Sequence, residues 1–147
     1  MDEIYHHALK LLRRRDYTTS QLRHKIEAKF GVVPNEVIES LSEHRYLDDV
    51  RYAANLVARR RHCHPSRVRE ELANAEVSPE IIEAAISKGD WLSLPDALRN
   101  KMMDWNLHAP IHNREASRLF RALARSGFPE DEIREELDRI HEQQESL

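Results

Sequence analysis

The sequence predicts an all-α protein, a tandem array of three three-helix repeats, and three observations lead there. Glycine is scarce, 3 of 147 residues, while 33% of the chain is charged and 40% hydrophobic, a composition suited to amphipathic helices rather than a turn-rich sheet. Apolar residues recur at helical rather than strand spacing. The pattern also repeats: Ala8, Leu11, Leu12 and Arg15 align without a gap to Ala53, Leu56, Val57 and Arg60. Further on, Leu22, Ile26, Val32, Val37 and Leu41 align to Val68, Leu72, Val77, Ile82 and Ile86, and again to Leu119, Leu123, Phe128, Ile133 and Leu137, apart from one extra residue before Val32. The period is about 45 residues, and the units run over 4–47, 48–88 and 93–142. Each has too little apolar surface to stand alone, so stacked units in one continuous, elongated and curved molecule are expected.

Taken in order, residues 4–15 form a first helix with Ile4, Ala8, Leu11 and Leu12 inward and three arginines at its end. Thr18 and Gln21 have the spacing of a capping box and open a second helix carrying Leu22, Ile26 and Phe30, which Gly31 stops. Pro34 suits the first turn of a third helix with Val37, Ile38 and Leu41 inward. The second unit repeats this order: a helix over 49–62, a turn at His64-Pro65, a helix over 66–75 with Val68 and Leu72, and a third helix capped by Ser78 with Ile82 and Ile86 inward. The third unit begins near Leu94. A polar connection over 106–113 leads to a helix over 114–126, Gly127 stops it, and a last helix runs from Pro129 to about Glu142.

The junction of the first two units is Tyr46-Leu47-Asp48-Asp49-Val50-Arg51-Tyr52-Ala53. Asp48 is placed to accept hydrogen bonds from the free N–H groups of the helix beginning at Asp49, where the helix dipole also favours acid. Tyr46, Leu47, Asp48, Asp49, Tyr52 and Ala53 are therefore expected to hold one unit to the next.

No apolar run is long enough to cross a bilayer and the N-terminus lacks a signal-peptide pattern, so a soluble, cytoplasmic protein with no membrane contact is expected. The lone cysteine, Cys63, cannot form an internal disulfide. The net charge of −3 hides an uneven distribution: residues 128–147 hold eight acids against Arg134 and Arg139, which leaves the other 127 residues at +3.

Positive charge gathers in three places. From Val50 to Arg69 there are six arginines and no acid, with Arg59, Arg60, Arg61, Arg67 and Arg69 converging on the Pro65 corner. The helix dipole accounts for cations at a helix C-terminus but not for Arg67 and Arg69 at a helix start, so a partner-facing corner is the better account. The first unit carries Arg14, Arg15, Arg23 and Lys25 among a second group. In the third, Arg114, Arg118, Arg121 and Arg125 recur at the spacing of one helical face. Such surfaces suit a phosphate backbone or an acid-lined groove. The aromatic residues fall at packing positions, with Trp91 and Trp105 expected at joints between units, so base stacking is not expected.

Signals for catalysis are weak. His62-Cys63-His64 has metal-ligand residue types, but adjacent positions on a helix point apart and no second ligand pair lies at zinc-site spacing, so no metal is expected. No glycine-rich phosphate loop is present, so no cofactor and no ATP use are expected.

The repeat plan and the Tyr46-Leu47-Asp48-Asp49-x-x-Tyr52-Ala53 junction resemble the bacterial RecX family, as do Pro65-x-x-Val68-x-x-Glu71-Leu72 and Ser126-Gly127-Phe128. The chain departs from the family at His62-Cys63-His64, where a glycine usually precedes the proline, and over residues 93–113. The resemblance implies a non-enzymatic regulator of recombination and the SOS response. It would bind the RecA–DNA filament as a monomer, with single- or double-stranded DNA contacted inside that filament, and inhibit RecA recombinase, ATPase and co-protease activity. A stand-alone helical DNA-binding protein is the alternative.

Overall fold

The computed structural model describes residues 2–145, with side chains described as far as His141. Among these residues the chain is all helical: α1 (Asp2–Arg14), α2 (Thr19–Phe30), α3 (Asn35–Glu43), α4 (Asp49–Arg59), α5 (Pro65–Asn74), α6 (Pro79–Lys88), α7 (Leu94–Asp104), α8 (Asn113–Arg125) and α9 (Glu130–Glu145). By packing, the chain divides into two compact units. The first comprises the residues up to Ala58 and Arg69–Gly89; the second comprises Arg59–Val68 and the chain from Asp90 onward. The division runs through α4 and α5, inside the second sequence repeat.

In the first unit, Ile4, Ala8, Leu22, Ile26, Val37, Ile38, Leu41 and Leu47 form one buried cluster. α2 opens with the full capping box. The Gln21 N–H donates to Thr18 Oγ1 at 3.1 Å, and the Thr18 N–H donates back to Gln21 Oε1 at 3.1 Å. Thr18 is itself fully buried, and its hydroxyl donates to the Ala75 carbonyl at 2.8 Å. Gly31 ends the helix in left-handed backbone at φ 76°, a conformation that costs a residue with a Cβ.

Both junction aspartates are engaged. Asp48 Oδ1 accepts the Arg51 N–H at 3.1 Å, the geometry of an N-cap. Asp49 Oδ1 accepts from the Thr19 N–H at 2.8 Å and from its hydroxyl at 3.1 Å, which ties the start of α4 to the start of α2. The turn before them is held by Arg51, whose guanidinium donates to the carbonyls of Arg45 (2.7 Å) and Tyr46 (3.4 Å).

Several local expectations need correction. Val32 is 60% exposed; just past left-handed Gly31, it faces solvent and Val33 takes the place against the core. Tyr46 is 46% exposed, because left-handed Arg45 (φ 59°) turns the chain so that Leu47 enters the core while Tyr46 stacks on His44. Pro34 stands at the N-cap of α3, one place before the first turn. Ser78 occupies the N-cap of α6 without a side-chain hydrogen bond. Helix α4 stops at Arg59 rather than residue 62, since Arg60–Cys63 form a turn closed by the Cys63 N–H on the Arg60 carbonyl at 2.8 Å.

In the second unit, Ala97, Leu98, Leu119, Leu123, Phe128 and Ile133 make the buried cluster, with Trp105 and Phe120 packed against it. Ser93 Oγ accepts the Asp96 N–H at 3.2 Å and caps α7.

Candidate partner-binding surface

The α4–α5 corner is built into the second unit by backbone contacts. The His64 N–H donates to the Ser126 carbonyl at 2.9 Å, and the Leu92 N–H to the Arg61 carbonyl at 2.9 Å. His64 Nδ1 accepts the Ser66 N–H at 3.1 Å, so the imidazole caps α5. Opposite it, Gly127 adopts φ 93°, and a Cβ there would meet Arg67 Cβ at 2.8 Å. That glycine lets the end of α8 lie against the start of α5, and so brings the arginine corner and the C-terminal end of the α8 stripe into one body.

Within this body Arg59 and Arg67 are exposed, and so are Arg114, Arg118, Arg121 and Arg125. The stripe is set by burial of the opposite face of α8 through Leu119, Ala122 and Leu123. None of Arg59, Arg67, Arg114, Arg121 and Arg125 forms an ion pair with another described side chain, so their charge is directed at solvent. Arg60 is half-buried. Arg61 is engaged instead, with its guanidinium on the Asp90 carboxylate at 3.3 Å.

Arg69 lies in the first unit and is also engaged: it donates to both oxygens of Glu83, at 2.7 and 3.3 Å. The hydrogen bond from Arg69 holds the Glu83 carboxyl below the ordinary carboxylate range. The other first-unit candidates, Arg14, Arg15, Arg23 and Lys25, lie on α1, α2 and the turn between them. Arg15 sits over the Tyr17 ring, 4.3 Å from its centroid.

Aromatic rings at packing positions therefore lie beneath two of the cations. Trp105 packs on the core of its own unit, and Arg118 lies 3.9 Å over its ring with Lys101 at 5.5 Å. Helical spacing identified Arg118 but could not identify the ring beneath it, which comes from the end of another helix.

A cleft near the corner was also not foreseen. His62, Asn100, Lys101, Asp104 and Ser126 line it above Ala97 and Leu123. His62 titrates below the ordinary histidine value because it is partly desolvated and because Lys101 and Arg60 are close. The triplet His62-Cys63-His64 lies in a turn rather than on a helix, with Cys63 buried, His62 exposed and the His64 ring packed edge-on against Phe128. Among the described residues no group of three His, Cys, Asp or Glu side chains converges as a metal site would require, and no helix is long and apolar enough to cross a membrane.

Comparison with known proteins adds a family. No family model matches the chain. It is 34% identical over 134 residues to regulatory protein RecX of Halorhodospira halophila, spanning 86% of this chain and 81% of that one. It is 31% identical over 136 residues to regulatory protein RecX of Vibrio vulnificus, spanning 86% of each. The fold is similar to the crystal structure of RecX from Lactobacillus salivarius, with a TM-score of 0.62 at 16% identity over 99% of this chain and 97% of that one.

Proposed function

Because the chain belongs to the RecX family of regulatory proteins, we propose that it works by binding the filament of RecA on DNA and restraining strand exchange, ATP hydrolysis and co-protease activity, without catalysis of its own. The observation that carries this reading is the run of exposed, unpaired arginines in the second unit, Arg59 and Arg67 at the corner and Arg114, Arg121 and Arg125 on α8. Such charge suits a surface of acidic side chains and phosphates, and its cost of desolvation is repaid only by a partner of opposite sign. In this reading the protein acts in the cytoplasm as a monomer, needs no metal or cofactor, and touches single- or double-stranded DNA inside the filament.

The deciding measurement is the ATPase rate of preformed RecA filaments with and without the protein. Inhibition that is lost in the Arg59→Glu/Arg67→Glu variant supports the reading, and an unchanged rate at saturating protein refutes it. A stand-alone DNA-binding role draws on the same exposed arginines, since a phosphate backbone alone would serve as their partner. Affinity for naked DNA equal to that for the filament would select it.

A further inference from the structure

We infer that the trough between α8 and α9 docks one short amphipathic helix of a protein partner, with apolar side chains on its inner face and acids along the flank beside the arginine stripe. Two adjoining hollows of about 510 and 200 Å³ share Ala116, Leu137 and Asp138 and so form one trough. Its floor is Ile111, Ala116, Phe120, Leu137 and Ile140, all only partly buried. The repeat pattern sets this floor apart. In register with Phe120 the first two units carry Arg23 and Arg69, and in register with Ile140 they carry His44 and Gly89. Leu137 matches Leu41 and Ile86, which are both buried, yet it is itself only half-covered. The third unit thus keeps apolar side chains on a face where its counterparts are polar, lacking or covered, and a contiguous apolar face rimmed by polar residues marks a place for a partner.

Shape and charge select the occupant. The trough is open along its length, so a small molecule would stay largely wetted, whereas sites for such ligands enclose most of the ligand surface. A helix is suited: α8 and α9 pack on one another, and the small side chains of Ala116 and Ser117 let a third helix approach to bundle distance. From Asn113 to Arg121 the α8 wall rises about 12 Å, roughly two turns of helix, so apolar anchors at i, i+4 and i+7 would span it. Round α8 the half-buried Ala116 and Phe120 give way to Ser117 and then to Arg121 and Arg114, which share one helical face. Both arginines are exposed and neither forms an ion pair with another described side chain. On the opposite rim Arg134 is held by Glu130 at 3.5 Å and Asp131 at 3.7 Å, and Asp138 adds an acid. Among the described residues the unmet positive charge therefore borders the α8 side, and acids are favoured there. A nucleic-acid strand is less suited, because its phosphate backbone has no apolar stripe to cover Phe120, Leu137 and Ile140. The inference shares Arg114 and Arg121 with the filament reading but rests on the apolar floor beside them and involves no recombinase, so either can fail alone.

The test is a methyl NMR titration of the full chain. The Ile111 and Ile140 signals are assigned by their absence from Ile111→Val and Ile140→Val, and Ile26 of the first unit serves as the reference. The probe is a synthetic helix-forming peptide of about 14 residues, roughly 20 Å long, with leucines at i, i+4 and i+7 and glutamates along one flank. Saturable movement of Ile111 and Ile140 without Ile26 is expected. A scrambled peptide of equal composition, which has no apolar stripe, should bind about tenfold more weakly or worse. Ala116→Trp fills the trough and should weaken binding by about tenfold or more at an unchanged melting temperature. Arg114→Glu/Arg121→Glu should reverse the preference from the glutamate peptide to one with lysines in their place; should Ala116→Trp melt early, this reversal decides. The inference is overturned if the glutamate peptide moves neither signal, if its scrambled form binds as well, or if the charge reversal leaves the preference unchanged. A short thymidine oligonucleotide that moves the same two signals with equal affinity would overturn it in favour of a strand.

Discussion

Gly31 and Gly127 both hold left-handed backbone, at φ 76° and 93°, but only the second is also crowded: a Cβ at Gly31 meets nothing within 4 Å, whereas at Gly127 it meets Arg67 Cβ at 2.8 Å. Gly31→Ala should therefore cost about 1 kcal/mol, the backbone penalty alone, while Gly127→Ala should cost about 3 kcal/mol, since overpacking is added to strain. Urea unfolding of the two variants checks the difference. A third residue, Thr18, supports two structures with one hydroxyl, and Thr18→Val should cost about 2 kcal/mol because it strips partners from the Gln21 N–H and the Ala75 carbonyl in a buried place. The capping role of Thr18 was readable from the sequence, because a capping box spans four consecutive residues. Its bond to Ala75 and the bond of Asp49 to Thr19 were not, because they join residues 57 and 30 apart and nothing in a hydroxyl or carboxylate announces a distant acceptor or donor.

At the level of the helix, α8 shows how much periodicity can tell. Leu119, Ala122 and Leu123 are buried, so the four arginines must face outward, and this followed from spacing. The termination of α4 did not, since Arg60, Arg61 and His62 are all compatible with helix and only tertiary contacts at Leu92 and Ser126 draw the chain into a turn. The corner and the stripe can be weighed against each other by charge reversal. Arg59→Glu/Arg67→Glu and, separately, Arg114→Glu/Arg121→Glu should each weaken filament binding by several kcal/mol if those residues meet acids or phosphates. Neither pair should lower the melting temperature appreciably, because none of the four loses an ion pair with a described side chain. Retention of full filament affinity by both variants at low salt would count against either surface. Reversing Arg69 is a poorer probe, since it would also set a glutamate against Glu83.

For the molecule as a whole, two histidines contribute to the loss of stability as pH falls. His7 and His62 both titrate below the ordinary value: each is partly desolvated, His7 lies near Lys29 and Lys10, and His62 near Lys101 and Arg60. A folded-state pKa below the unfolded one means that the unfolded chain binds more protons as pH drops through the histidine range. The stability present at neutral pH is thus reduced toward pH 5. The melting temperature should fall over that interval, and less so in His7→Gln/His62→Gln; an identical fall in the double variant would show that other groups are responsible. Partner binding should weaken as salt rises, with a shallower slope in the arginine-reversal variants if the contacts are to phosphate. At this scale the sequence was least informative. Repeat spacing correctly gave the order of helices, but the compact units divide within α4 and α5, because a buried stripe reveals which face of a helix is covered and not which helix covers it.

The Arg118–Trp105 stack makes the protein an optical reporter of its own surface. A guanidinium 3.9 Å above the ring is held by a cation–π attraction of about 0.5–1 kcal/mol at an exposed site, weak enough for an anionic partner to lift it away. The chain has two tryptophans, so Trp91→Phe leaves Trp105 as the sole indole emitter. Its intensity and wavelength should then change when Arg118 leaves the ring, which gives a label-free signal for engagement of α8. In an Arg118→Gln background that signal should be absent from the outset, even where binding persists.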